Sequence, residues 1–168
     1  MLKSIKQHID RDEEEGFTLI ELMVVVLIIG ILMAIAIPTF LGAKNTANAR
    51  ATQSNLRNAI TAEQSYFTNN NQSYGAASDV SASEPALTWS DLTSATTAAT
   101  ATGNSVQVLL SNSGASVEVA AKGADGNGYY IYDNDGVVEY LTVVGGGAPV
   151  APVAASGTNS KAGWATQW

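Results

Sequence analysis

At 168 residues with a net charge of −7, the chain has room for one modest domain and lacks the basic surplus that phosphate-neutralising nucleic-acid binders need. It contains no cysteine, which excludes a disulfide framework and thiolate metal sites. Its single histidine, His8, sits in a polar opening stretch, so histidine-based catalysis is excluded from everything downstream.

The chain opens on a polar segment, MLKSIKQHIDRDEEEG, with Lys3, Lys6 and Arg11 early and Asp12, Glu13, Glu14 and Glu15 at its end. Residues 17–37 then form an apolar run interrupted only by Thr18, Glu21 and Gly30. As a helix this run spans roughly 30 Å, the thickness of a bilayer core. Four readings compete for it. A secretory signal peptide would explain Ala34-Ile35-Ala36 as an A-x-A site, but the run is too long and its near flank is acidic. A plain membrane anchor leaves Glu21 unexplained, since a deep acid costs on the order of 2.5–3.5 kcal/mol. A buried core helix has nothing else in the chain large enough to cover it. The fourth reading takes Gly16–Phe17 as a cleavage point. The cut creates an α-amino group that is positive at neutral pH. Glu21 then lies one helical turn into the new chain, where the amino group of a staggered neighbour can meet it. Such a buried pair is expensive to break, around 3–5 kcal/mol on loss of one partner.

GFTLIELMVVVLIIGILMAIAIP, within residues 16–40, resembles the N-terminus of type IV pilins and their pseudopilin relatives. The resemblance implies cleavage after Gly16 by a membrane peptidase that also N-methylates Phe17, and pairing of Glu21 with a neighbour's N-terminus during filament assembly. It further implies that the helix unwinds between Gly30 and Pro38 inside the filament. Leaders in this family are often basic up to the glycine, whereas this one is acidic at the cut. The early Lys and Arg residues still fit a cytoplasmic leader, because acids count little in setting topology.

Beyond Pro38 the helix is expected to continue to about Asn70, giving some 80 Å of helix from Phe17. Leu56, Ala59, Ile60, Glu63 and Phe67 fall near helical spacing, and Leu56, Ile60 and Phe67 form an apolar stripe suited to packing on a sheet. Pro38 removes one backbone hydrogen bond, and a gentle kink in a continuous helix is the expectation for the free subunit. Asn71-Gln72-Ser73 fits the N-glycosylation tripeptide, which is common by chance. Residues 76–104 read as a Ser/Thr/Ala-rich connection anchored by Trp89 and Leu92, with hydroxyls able to accept glycans.

The period then changes to two. Val106, Val108 and Leu110 alternate with Gln107, and Val117 and Val119 alternate with Ser116 and Glu118, around the turn Ser111–Gly114. A second pair of strands, Tyr129–Tyr132 and Val137–Val143, is joined by Asp133–Gly136. Four closely spaced strands predict an antiparallel meander packed on the helix stripe. Asp125, Asp133 and Asp135 could offer oxygen ligands to calcium, but they miss the EF-hand spacing, and Asp and Gly are ordinary turn residues. After Val144, glycines and prolines lead to Trp164 and Trp168, aromatics either docked on the domain or exposed to a partner.

The expected fold is therefore α+β: a long, partly transmembrane N-terminal helix packed on a C-terminal antiparallel meander. Its segments are a leader (1–16), an apolar membrane and filament-core helix (17–38), an amphipathic continuation (39–74), a connection (75–104), the sheet (105–144) and a tail (145–168). The resemblance implies a filament subunit that is not an enzyme and needs no cofactor. It polymerises with copies of itself after processing by the peptidase and methyltransferase, with an assembly platform and ATPase. It waits in the cytoplasmic membrane, head outside, before becoming an extracellular filament serving adhesion, motility or DNA uptake. The alternatives are a pseudopilin of a type II secretion or competence apparatus, or a minor pilin or adhesin.

Overall fold

The computed structural model describes residues 16–93 and 99–147, together with Ala165 and Trp168. The leader 1–15, the middle of the Ser/Thr-rich connection and most of the tail, including Trp164, lie outside the described residues. The chain divides into two compact units, one ending at Gly42 and the other beginning at Ala43. One helix, α1 (Leu19–Asn69, 51 residues), contributes to both and is about 76 Å long.

In the first unit the apolar side chains from Phe17 to Leu41 are exposed, with Ile29 the least so at 47%. Apolar surface of this extent marks a surface that something else covers. The helix is long and apolar enough to cross a membrane. It passes through Pro38 without a break. Nearby, the Thr39 hydroxyl donates to the Ile35 carbonyl at 3.0 Å.

In the second unit α1 buries Thr52, Leu56, Ala59, Ile60, Ala62 and Glu63. This is the three- and four-residue spacing of one helix face. Leu56, Ala59 and Ile60 pack with Val106, Val108, Val117, Val119, Ala121, Tyr129 and Ile131, and Phe67 joins at the margin. The helix ends where Asn71 and Gln72 take left-handed φ values of 52° and 60°, and the Gln72 N–H returns to the Phe67 carbonyl at 3.1 Å.

The sheet has five strands in the order β1-β2-β3-β4-β5: β1 (Thr88–Asp91), β2 (Ser105–Ser111), β3 (Ser116–Lys122), β4 (Gly128–Asn134) and β5 (Val137–Val143). Strands β2 to β5 form the antiparallel meander that the period-two pattern predicts. The fifth strand is a finding. The connection contains a short helix, α2 (Ala77–Val80), and β1, which pairs in parallel with the free edge of β2. The sequence TWSD has no apolar alternation to announce it. Parallel neighbours need a crossover, and of the described residues between the two strands Leu92 and Ala99 pack on Ala120, Tyr130, Tyr132 and Leu141.

That crossover changes the outer face of the sheet. Ser116 and Glu118, which alternate with valines in a pattern suited to a solvated face, are both fully buried. Register places Glu118 opposite Tyr132 and Leu109, on the side away from the valines. The Tyr130 hydroxyl accepts the Ala99 N–H at 2.9 Å and donates to the Gly147 carbonyl at 3.0 Å, so one side chain ties both the crossover and the tail to the sheet.

Candidate functional site at the N-terminal segment

Gly16, Phe17 and Thr18 are exposed and non-helical, and α1 begins immediately after them. Among the described residues no heavy atom beyond the chain neighbours lies within 4 Å of a Cβ built on Gly16, and Phe17 is 85% exposed. Two residues on, the helix start is held by a reciprocal pair. The Glu21 N–H donates to Thr18 Oγ1 at 3.2 Å, while Glu21 Oε2 accepts from the Thr18 N–H at 3.4 Å and its hydroxyl at 3.2 Å. This is a capping box, which satisfies N–H groups that the first helical turn otherwise leaves open. It also sets a carboxylate in the first turn, where the helix dipole favours negative charge. Thr18 is the residue that sequence reasoning missed. Its signal was available in the Thr-x-x-Glu spacing of residues 18–21.

Gly30 and Pro38 both lie inside the unbroken helix. The three aspartates weighed for calcium are not brought together: among the described residues no group of three acids or histidines is placed to hold a metal ion. Asp125 accepts from the Asn127 N–H at 3.1 Å, from its side-chain amide at 2.8 Å and from the Tyr129 hydroxyl at 2.6 Å. Asp133 is buried and accepts from Gln64 Nε2 at 2.7 Å and the Gly136 N–H at 3.0 Å. Asp135 sits exposed in the β4–β5 turn at φ 51°. Burial, then the neighbouring Asp133 carboxylate, raises the Tyr74 hydroxyl above its usual range. Burial, then the Asp125 hydrogen bond, does the same for Tyr129.

Trp168 is docked. Its ring meets Tyr140 and Tyr129 edge-on, with centroids 5.0 and 5.8 Å away, and the Arg57 guanidinium lies 5.4 Å from its centre. Ala165 forms a two-bond antiparallel bridge with Tyr140.

A capped helix with an apolar first half, an amphipathic second half and a meander packed on that second half is the α+β architecture of a pilin fold. Residues 12–37 match the family model described as the prokaryotic N-terminal methylation motif. The chain is 52% identical over 52 residues to the type IV major pilin protein PilA of Myxococcus xanthus, covering 31% of this chain and 24% of that one. It is 42% identical over 57 residues to the type IV wide pilus major component PilA4 of Thermus thermophilus (34% and 44% covered). Against the narrow pilus major component PilA5 of the same organism it is 52% identical over 48 residues (27% and 41% covered). The chain thus spans less than half the length of these curated relatives. These likenesses lie in the N-terminal segment, which is similar to that of type IV major pilins, and the long apolar helix with its mostly antiparallel sheet is consistent with an α+β pilin fold.

Proposed function

We propose that the chain is a structural subunit of a type IV pilus, cleaved after Gly16, N-methylated at Phe17 and polymerised through its N-terminal helix. The observation that carries this reading is the methylation-motif segment, residues 12–37, running into a helix whose apolar side chains are exposed. A bilayer covers those side chains before assembly, and helices of neighbouring copies cover them afterwards. Glu21 is the assembly residue. Its carboxylate leaves the capping box with Thr18 to meet the Phe17 amino group of the next subunit. The partners are other copies of the chain, a prepilin peptidase and methyltransferase, and an assembly platform with its ATPase. The subunit sits in the cytoplasmic membrane with its head outside until it enters the surface filament.

Intact mass and N-terminal sequencing of protein sheared from cells test this reading. The expected result is high-molecular-weight filaments whose chain begins at N-methylated Phe17. A mature chain confined to membrane fractions would instead indicate a pseudopilin or minor subunit. An unprocessed chain beginning at Met1 would overturn the proposal.

A further inference from the structure

Where the chain leaves α1, three consecutive backbone N–H groups are each taken by a carboxylate from a different element. The Gly75 N–H donates to Glu63 Oε2 of α1 at 3.1 Å, the Ala76 N–H to Asp79 Oδ2 of α2 at 3.0 Å, and the Ala77 N–H to Asp91 Oδ1 of β1 at 2.9 Å. The node joins the helix, the connection and the parallel edge strand. It is also tightly closed. A Cβ on Gly75 would stand 3.0 Å from Tyr66 Cε1 and Val80 Cγ1 and 3.1 Å from Asp79 Cβ, so any larger residue would push these side chains back by a few tenths of an ångström.

Of the three acids, Glu63 is the one with no access to water. It is 0% exposed, and its second oxygen, Oε1, is buried without a hydrogen-bond partner. A carboxylate with one amide donor and no solvent is poorly supported, while a neutral carboxyl is tolerated. The charged groups acting on it, Asp79 from α2 and Asp91 from β1, are both negative and make ionisation harder still. Burial is the larger cause, and together they push the Glu63 carboxyl up to about 8, with the Gly75 N–H opposing them.

We propose that Glu63 is a proton-operated latch: its neutral carboxyl holds the Gly75–Asp91 segment against α1, and its ionisation releases that segment. Charge at Glu63 has no stable site inside the closed node, so an ionised carboxyl must reach water. The way to water is to part the Gly75 backbone from the helix. Opening removes the Glu63 tie first, and with it the seating of α2 and β1. Among the described strands β1 is a four-residue edge strand hydrogen-bonded to β2 alone, with Trp89 packed at the margin of the core, which makes it the strand easiest to loosen. The remaining strands, paired antiparallel over their lengths, stay closed. The inference concerns the second unit alone and stands whether or not the chain forms pili.

The test is backbone amide hydrogen exchange of the full chain in detergent micelles from pH 6 to 9.5, with each rate divided by the intrinsic rate at that pH. The wild type is expected to show normalised exchange across residues 74–80 rising at least tenfold above pH 8, with β3 and β4 unchanged. In Glu63→Gln, which is neutral at every pH, the same segment should stay flat. Should that variant fail to fold, the side-chain carboxyl of Glu63, labelled with carbon-13 in the wild type, is titrated instead, and a midpoint above 7 is expected. Flat exchange in the wild type, a rise shared equally by β3 and β4, or a carboxyl midpoint near 4.5 would each overturn the latch.

Discussion

Asp133 Oδ2 lies 2.7 Å from Gln64 Nε2, joining the end of β4 to α1 between residues 69 positions apart in sequence. The same carboxylate accepts the Gly136 N–H at 3.0 Å, so a single buried side chain orders the β4–β5 turn and registers it against the helix. Asp133→Ala removes the acceptor of both donors, of which Gln64 is half-buried and Gly136 exposed. The expected cost is about 2–3 kcal/mol, the scale for losing hydrogen bonds to a charged group. Asp133→Asn keeps the shape and one acceptor and should cost clearly less. Denaturant midpoints of the full chain in detergent compare the two, and equal losses would place the weight on packing.

Glu63 gives stability a pH dependence of definite sign. Its folded value, about 8, lies above the ordinary 4.5. Between those values the unfolded chain has released the proton and the folded chain still holds it. Stability contributed by the neutral carboxyl is therefore complete below pH 4.5 and falls as pH rises, by up to ~1.4 kcal/mol per unit, levelling off near 8. The total loss is a few kcal/mol. Thermal unfolding from pH 4 to 9 should show this decline in the wild type and a much shallower one in Glu63→Gln.

Trp168 supplies the noncovalent closure that a chain without cysteine requires. Its ring fills the space among Tyr129, Tyr140 and Arg57, and Nε1–H reaches the Leu141 carbonyl at 3.5 Å. Trp168→Ala should cost roughly 1–3 kcal/mol, below the range for a fully buried aromatic because the side chain is half-exposed. Limited proteolysis is the direct readout. Cleavage after Gly147 is expected to accelerate, while the meander resists as before.

Pro38 lies within α1 and cannot donate the N–H that the preceding turn expects. Pro38→Ala restores that bond and should stabilise the helix locally by about 2–3 kcal/mol. Amide exchange between residues 34 and 42 in micelles should slow by tenfold or more. Unchanged rates would mean that this stretch is held by something other than its own hydrogen bonds.

The N-terminal segment was legible because its information is local. An exposed Gly–Phe bond, an acid one turn further on and an unbroken apolar run are chemistry written at adjacent positions. The capping box of Thr18 and Glu21 was equally local and readable from its spacing. The stripe through Leu56 and Ile60, and the meander from Val106 to Val143, were legible from periodicity, since one buried face imposes a period of 3.6 or 2.

Tertiary structure decided the rest, and for one reason: burial of a polar side chain depends on what crosses over it. Ser116 and Glu118 alternate with valines as a solvated face would, yet both are buried on the side of the sheet where Leu92 and Ala99 pack. TWSD carries no strand pattern, and it becomes β1 because β2 presents an open edge to it. Glu63 falls in step with its apolar neighbours as if by accident. Only the return of the chain at Gly75, with Asp79 and Asp91 beside it, pushes that carboxyl well above the ordinary carboxylate range. The sequence by itself determined where the apolar run lies, the Thr18–Glu21 cap spacing and which faces are apolar. The fold determined which charges lose their water.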